Sequence, residues 1–248
     1  MSGMIGFWTP VEEQRRAWFP SEEHPNQILE ASVGARVRSD SVVLDIGCGR
    51  TAPNLRKLIG RAKKLYGIDV IDFTYSDPDM HLFNNNVGAM ADIPDNSIDI
   101  AYSRAVMEHI DNPDEAFAEL ARVLKPGGVY IFVTPSVYDY GSIIARIVPN
   151  RFHGKIVSAV EGRAEEDVFP TVYACNSLGL LHKQVAGAGL RIETGRYIGQ
   201  YPSYFMFNRV LFWAGSIYQK LIEKFSITQP LQGWIYCVVE KPQARGEG

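Results

Sequence analysis

The sequence predicts an α/β protein built on a parallel sheet of seven strands, and three observations predict it. Short β-branched runs alternate with helical patterns from about residue 40 to 135, as strand–helix–strand units do. The first run, Val42-Val43-Leu44-Asp45-Ile46, is nearly all apolar, as a strand covered on both faces must be, and it ends in glycines. The 248 residues are 46% hydrophobic and 21% charged, which supplies the core of an ordinary folded protein and excludes a disordered or collagenous chain.

Taken in order, residues 1–40 are expected to form an N-terminal helical cap and Val42 to Ile46 the first strand. Asn54 to Lys64 reads as the crossover helix, Leu65 to Asp69 as a second strand ending in a carboxylate, Val87 to Ala91 as the third and Ile98 to Ser103 as the fourth. Asn112-Pro113-Asp114-Glu115 starts a helix, with Asn112 as N-cap, Pro113 at the first helical position and Glu115 placed for a capping box. That helix is expected to run to Leu124, where Lys125-Pro126-Gly127-Gly128 stops it before a fifth strand, Val129 to Val133. Asn176 or Ser177 caps a further helix through Ala188, and strands follow at Arg191 to Tyr197 and Trp234 to Glu240. Two stretches, 136–175 and 198–233, interrupt the alternation; loops this long are functional or hold their own helices, so both are expected as lids on one domain.

Composition narrows the partners. Twenty-five basic against 28 acidic side chains leave a net charge of −3, which offers no field to draw in a polyanion, so nucleic acid is not expected. Cys48, Cys175 and Cys237 are an odd set without C-x-x-C spacing, which fits a reducing compartment; with no apolar leader before Pro20, the expected location is the cytoplasm. Gln200, Pro202, Ser203, Asn208 and Arg209 interrupt the one stretch that approaches a membrane span, Tyr197 to Tyr218. His153, Asp167 and His182 lack ligand spacing, and no metal is expected.

The decisive segment is Asp45-Ile46-Gly47-Cys48-Gly49-Arg50, where a buried strand turns into a helix. Gly47 permits a tight turn and Gly49 lets a ligand approach the backbone, although a plain strand-to-helix turn would look the same. Thr51 stands where a third small residue is often found and no G-x-G-x-x-G is present, so pyrophosphate binding loses support. Asp69, at the tip of the second strand, can accept from both hydroxyls of a ribose; the alternative is a solvated turn aspartate.

These residues resemble the class I S-adenosylmethionine-dependent methyltransferases, in particular the small-molecule subgroup. The run Val42 to Gly49 is followed by Gly67-Ile68-Asp69, Ala91-Asp92-Ile93-Pro94, Asn96-Ser97-Ile98-Asp99, Val106-Met107-Glu108-His109-Ile110 and Ala121 to Gly128 in family order. The resemblance implies a Rossmann-like, seven-stranded, mostly parallel sheet with the last strand antiparallel and two substrate-side insertions. It implies S-adenosyl-L-methionine as donor and S-adenosyl-L-homocysteine as product. Asp45 and the Gly47-Cys48-Gly49 turn would bound the methionine half, Asp69 would take the ribose, Asp92 with the Ile93 backbone would read the adenine edge, and Val70 would pack on the adenine face. The acceptor would be a small molecule such as a natural product, a sugar or a lipid or quinone precursor. A noncatalytic binder of adenosine compounds is the alternative. A nucleic-acid methylase fits less well, because Ser103-Arg104-Ala105-Val106 replaces the Asn/Asp-Pro-Pro-aromatic sequence of base-amino methylases.

His109 follows the fourth strand, at the mouth of the family's active site, and is either a base for a hydroxyl acceptor or structural; His153 is a second, weaker choice. Finally, Tyr204, Phe207, Leu211, Ala214, Tyr218, Leu221 and Phe225 recur at alternating spacings of three and four, one apolar stripe on a helix, with Arg209, Ser216, Lys220 and Glu223 opposite. The stripe either packs on the body of the protein or forms a lid, a homodimer face or a peripheral membrane contact through 203–225 that handles an apolar acceptor.

Overall fold

Strand β1 (Val42–Ile46) occupies the middle of a seven-stranded sheet because its side chains are covered on both faces. The computed structural model describes residues 6–21, 23–139, 143 and 169–243; residues 140–142 and 144–168 of the first expected lid, with His153 and Asp167, lie outside them. Parallel neighbours flank β1, with β2 (Lys64–Asp69) on one side and β4 (Ile98–Arg104) on the other. The full order is β3-β2-β1-β4-β5-β7-β6, with β3 at Met80–Asn84, β5 at Leu124–Pro135, β6 at Arg191–Ile198 and β7 at Trp234–Glu240. Gly127 donates to the Lys241 carbonyl and Lys241 to that of Gly128, while Ser136 donates to Gly233, so β7 runs against β5. The sheet is therefore mostly parallel with its last strand antiparallel.

The chain divides into two compact units. The larger comprises Asn26–Thr134, Thr171–Arg196 and Ile235–Gly248, and its core is the sheet interior, including Leu44, Ile46, Leu65, Ile68, Tyr130 and Phe132. Helix α4 (Pro113–Val123) buries Phe117, Leu120 and Val123 and packs against α5 (Leu178–Gly187); α2 (Pro25–Arg36) and α3 (Pro53–Arg56) precede and follow β1. Asn112 caps α4 by accepting from the Glu115 amide, and Ser177 caps α5 through Leu180.

Three elements depart from expectation. Residues 87–91 are not the third strand; β3 lies at Met80–Asn84, and Val87 and Met90 are buried as anchors of the loop that follows it. The first crossover helix is one turn, Pro53–Arg56, because Gly60 at φ +74° ends the following turns before β2 begins at Lys64. Strand β5 starts directly from α4: Leu124 pairs with Ile98 and Val129 with Ile100, so Lys125–Gly128 bulges outward instead of separating helix from strand.

The smaller unit comprises Met1–Pro25, Pro135–Pro170 and Tyr197–Trp234. In it α1 (Val11–Trp18) packs on α6 (Arg209–Lys224), where Gln14 Nε2 donates to the carbonyls of Thr9 at 2.7 Å and Arg209 at 3.2 Å. Asn208 caps α6 through the amides of Val210 and Leu211. The predicted helix forms, but its apolar stripe does not pack inward. Phe207, Leu211, Ala214, Tyr218, Leu221 and Phe225 are exposed, and the buried face is Phe212, Ser216, Gln219 and Ile222.

Candidate functional site

At β1 the sheet order reverses direction, so the carboxyl ends of β1, β2 and β4 form a switch-point crevice, the place where open α/β sheets take ligands. Register puts Asp45 between Gly67 and Tyr102. Asp45 is 3% exposed, and its Oδ2 accepts from the Tyr102 hydroxyl at 2.9 Å. Burial pushes its carboxyl up to about 7; the Tyr102 bond and the Arg104 charge work against that rise, and Asp69 adds to it.

All three amides of the glycine turn are committed inside the protein. Those of Gly47 and Cys48 donate to the Ile68 carbonyl at 2.9 and 3.2 Å, and that of Gly49 to Asp69 Oδ2 at 2.7 Å. An anion cradle requires free amides, so this turn is built for close approach and not for phosphate. A Cβ on Gly47 (φ +71°) would overlap Val106 Cγ2, whereas one on Gly49 (φ +77°) would meet nothing within 4 Å. The open space lies over Gly49. The third small residue of the turn is Ala52, one place beyond Thr51; it and Ala105, just past β4, take left-handed φ of +44° and +52°. Ala52 is fully buried at the start of α3 and Ala105 follows directly on β4, so both chain exits beside the crevice are held in a constrained backbone conformation. Cys48 turns inward over Gly67, and burial, reinforced by the charges of Asp45 and Asp69, pushes its thiol far above the ordinary range, so it offers backbone and not a nucleophile.

Asp69 is held from two sides. Oδ2 takes the Gly49 amide and Oδ1 the Ile71 amide at 3.3 Å, which fixes the carboxylate while each oxygen keeps a further lone pair. Val70, next to it, is 52% exposed, an apolar side chain left in water at the mouth of the crevice. Asp92 is exposed and its Oδ2 accepts from Asn85 Nδ2 at 2.7 Å, while the Asn85 amide donates to the Asp69 carbonyl at 3.0 Å. Asn85 thus ties the two carboxylate-bearing segments together, a role that misplacing the third strand concealed. The side chain of Ile93 is buried, its amide donates to the Met90 carbonyl, and its own carbonyl accepts from Arg122 Nη1. Arg122 clamps that loop, reaching the Met90 carbonyl, Asp95 and Glu119 as well.

His109 sits in a single turn, Met107–His109, with Nε2 3.8 Å from Oε1 of the buried Glu108. Glu108 Oε2 accepts from Thr134 Oγ1 at 2.9 Å, and Asn176 Nδ2 donates to that hydroxyl at 2.6 Å. Tyr102, Asn85, Glu108 and Arg122 are the supporting residues that motif reading alone left unassigned. A separate cavity of about 90 Å³ lies between α2, α3 and β4, lined by residues including Leu29, Lys57, Arg61, Tyr102 and Arg104; the glycine turn, Asp69 and Asp92 do not line it, and it is far below the volume of a ligand pocket.

The sheet order and the glycine-turn crevice define a Rossmann-like α/β domain with its open end at the switch point. Residues 44–132 match the model of the methyltransferase domain family. A protein of Mycolicibacterium smegmatis named "Probable S-adenosylmethionine-dependent methyltransferase/" is 28% identical over 158 residues, covering 61% of this chain and 58% of that protein. The 24-methylenesterol C-methyltransferase 2 of Arabidopsis thaliana is 28% identical over 107 residues, 39% of this chain and 29% of the enzyme. A solved geranyl diphosphate methyltransferase in complex with GPP and sinefungin shares the fold at a TM-score of 0.55 and 15% identity, over 87% of this chain and 77% of that one. The family match takes in residues 44–132 of the 248, so what it supports is likeness to a methyltransferase domain over that part of the chain, and the matches span under two thirds of the length of both curated relatives.

Proposed function

We propose that this chain transfers the methyl group of S-adenosyl-L-methionine to an apolar small-molecule acceptor, leaving S-adenosyl-L-homocysteine. The observation that supports this most is the Asp69 carboxylate, oriented by two amides beside the open space over Gly49 and the exposed Val70. In this reading Asp69 takes both ribose hydroxyls, Val70 lies along the adenine face, and Asp92 accepts from the adenine amino group. Asp45 and the Gly47–Gly49 turn bound the methionine end. The donor supplies a methyl already activated on a sulfonium, so the chain has mainly to align the acceptor in line and exclude water. Where the acceptor is a hydroxyl, His109 takes its proton, held by Glu108. The sterol named for one relative favours an apolar acceptor.

Calorimetry with the donor and with its demethylated product tests the first half: both are expected to bind, and Asp69→Ala to abolish both. Binding of neither would leave a noncatalytic scaffold. Incubation of labelled donor with sterols, prenyl diphosphates, sugars and catechols, read by mass spectrometry, tests the second half, and methylation confined to the polar acceptors would overturn it.

A further inference from the structure

The smaller unit carries a surface with no part in the site described above. On α6 and its flanking turns Phe207, Val210, Leu211, Leu221, Phe225 and Ile227 are all exposed, Phe207 by 80% and Ile227 by 88%. Phe7 and Trp8 extend this face, with the Phe7 ring 6.1 Å from that of Trp213 on α6. Scattered exposed apolar residues are ordinary, but one helix face of this kind marks a contact surface. We infer that this face of α6 docks on an anionic phospholipid bilayer, lying in the headgroup plane with its apolar side chains in the acyl boundary.

The charge distribution selects that occupant. Residues 203–231 carry Arg209, Lys220 and Lys224 against the single acid Glu223, an excess of +2 in a chain whose net charge is −3. Arg209 and Lys224 are exposed and sit at opposite ends of the helix, where long basic side chains reach headgroup phosphates while their stems follow the apolar surface. A second copy of the chain would set the same basic ridge against itself, because a two-fold interface pairs a patch with its own image. Among the described residues no helix is long and apolar enough to cross a membrane, so the geometry is that of a helix lying on the surface. The inference deepens the proposed function, since a bilayer is where an apolar acceptor is collected, but its test does not depend on that reaction.

The test is flotation of the full chain with vesicles of phosphatidylcholine mixed with phosphatidylglycerol, and with vesicles of phosphatidylcholine alone. Donor binding by calorimetry and mass by light scattering are read on the same preparations. The wild type is expected to float with the anionic vesicles, at least tenfold more than with the neutral ones, and to lose that binding in high salt. The double variant Phe207→Glu, Leu221→Glu is expected to lose flotation at least tenfold while keeping its thermal midpoint and donor affinity. Arg209→Glu with Lys224→Glu is expected to abolish the preference for anionic lipid. Absence of wild-type flotation with anionic vesicles, or flotation that the double variant retains, overturns the inference. So does a wild-type dimer that the same substitutions dissociate without any vesicle binding, which would assign the face to a second copy. Loss of donor binding by the wild type would count against the proposed reaction and leave the flotation result standing.

Discussion

Replacing Asp45 with Asn should make the protein more stable above neutral pH, although the residue lies at the heart of the crevice. The Asp45 carboxyl moves from its ordinary value of 3.8 to about 7 in the folded state, chiefly through burial. Between those two values the folded chain holds a proton that the unfolded chain has released. Stability therefore falls as pH rises through that window, and the loss is complete above about pH 7. Each tenfold change in proton affinity is worth ~1.4 kcal/mol, which sets a ceiling on the order of 4 kcal/mol. Asn keeps the shape and an oxygen to accept from the Tyr102 hydroxyl, and does not ionise. Urea unfolding across pH 4 to 8, at constant ionic strength, is the assay. The variant is expected to gain on the wild type steadily over that range and to exceed it by about 2–4 kcal/mol at pH 8. The same variant is expected to bind the donor more weakly, because a cationic ligand favours the ionised carboxylate that it lacks. Parallel wild-type and variant curves, or a wild type more stable at pH 8, would refute the reasoning.

The glycine turn separates strain from room. Gly47→Ala is expected to cost roughly 2–4 kcal/mol in urea unfolding, from left-handed backbone and overlap with Val106, whereas Gly49→Ala should cost about 1 kcal/mol and instead abolish donor binding in calorimetry. Arg122→Ala removes the clamp on the Met90 and Ile93 carbonyls, with an expected loss of about 1–3 kcal/mol. It should also weaken the acid limb of the stability profile. The Arg122 hydrogen bond is the main cause holding the Glu119 carboxyl below its ordinary value, a stabilisation present at neutral pH and lost as pH falls.

The middle of the sheet was legible because its signal is one-dimensional: a strand buried on both faces must be a continuous apolar run, and β1, β2, β4 and β7 lie within about a residue of their expected bounds. Strand β3 is an edge strand paired only with β2, and Met80-His81-Leu82-Phe83-Asn84 buries only Met80, so no run marks it. The apolar residues Val87 and Met90 a few places on carry the stronger signal, although they anchor a loop, and Asn85 directly after β3 has no local mark of its own. The site divides the same way. Gly47, Gly49 and Asp69 are visible because backbone freedom and a strand-end carboxylate are local properties. The hydroxyl that Asp45 receives from Tyr102 depends on register with β4, 57 residues away.

Helix α6 shows why period without partner is ambiguous. A repeat of three and four states that a helix has an apolar face, but which face is buried depends on whether the other one can be satisfied internally. Here it can: the Ser216 hydroxyl donates to the Phe212 carbonyl at 2.8 Å and Gln219 Nε2 to Glu223 at 3.0 Å, so the mixed face enters the interior around Phe212 and Ile222. Adjacent residues therefore predict opposite outcomes. Phe212→Ala, at a fully buried ring, is expected to cost about 3–5 kcal/mol, and Leu211→Ala, one residue earlier and 44% exposed, no more than about 0.5 kcal/mol. Urea unfolding of the two variants decides it: were the stripe the buried face, the order of the two losses would invert.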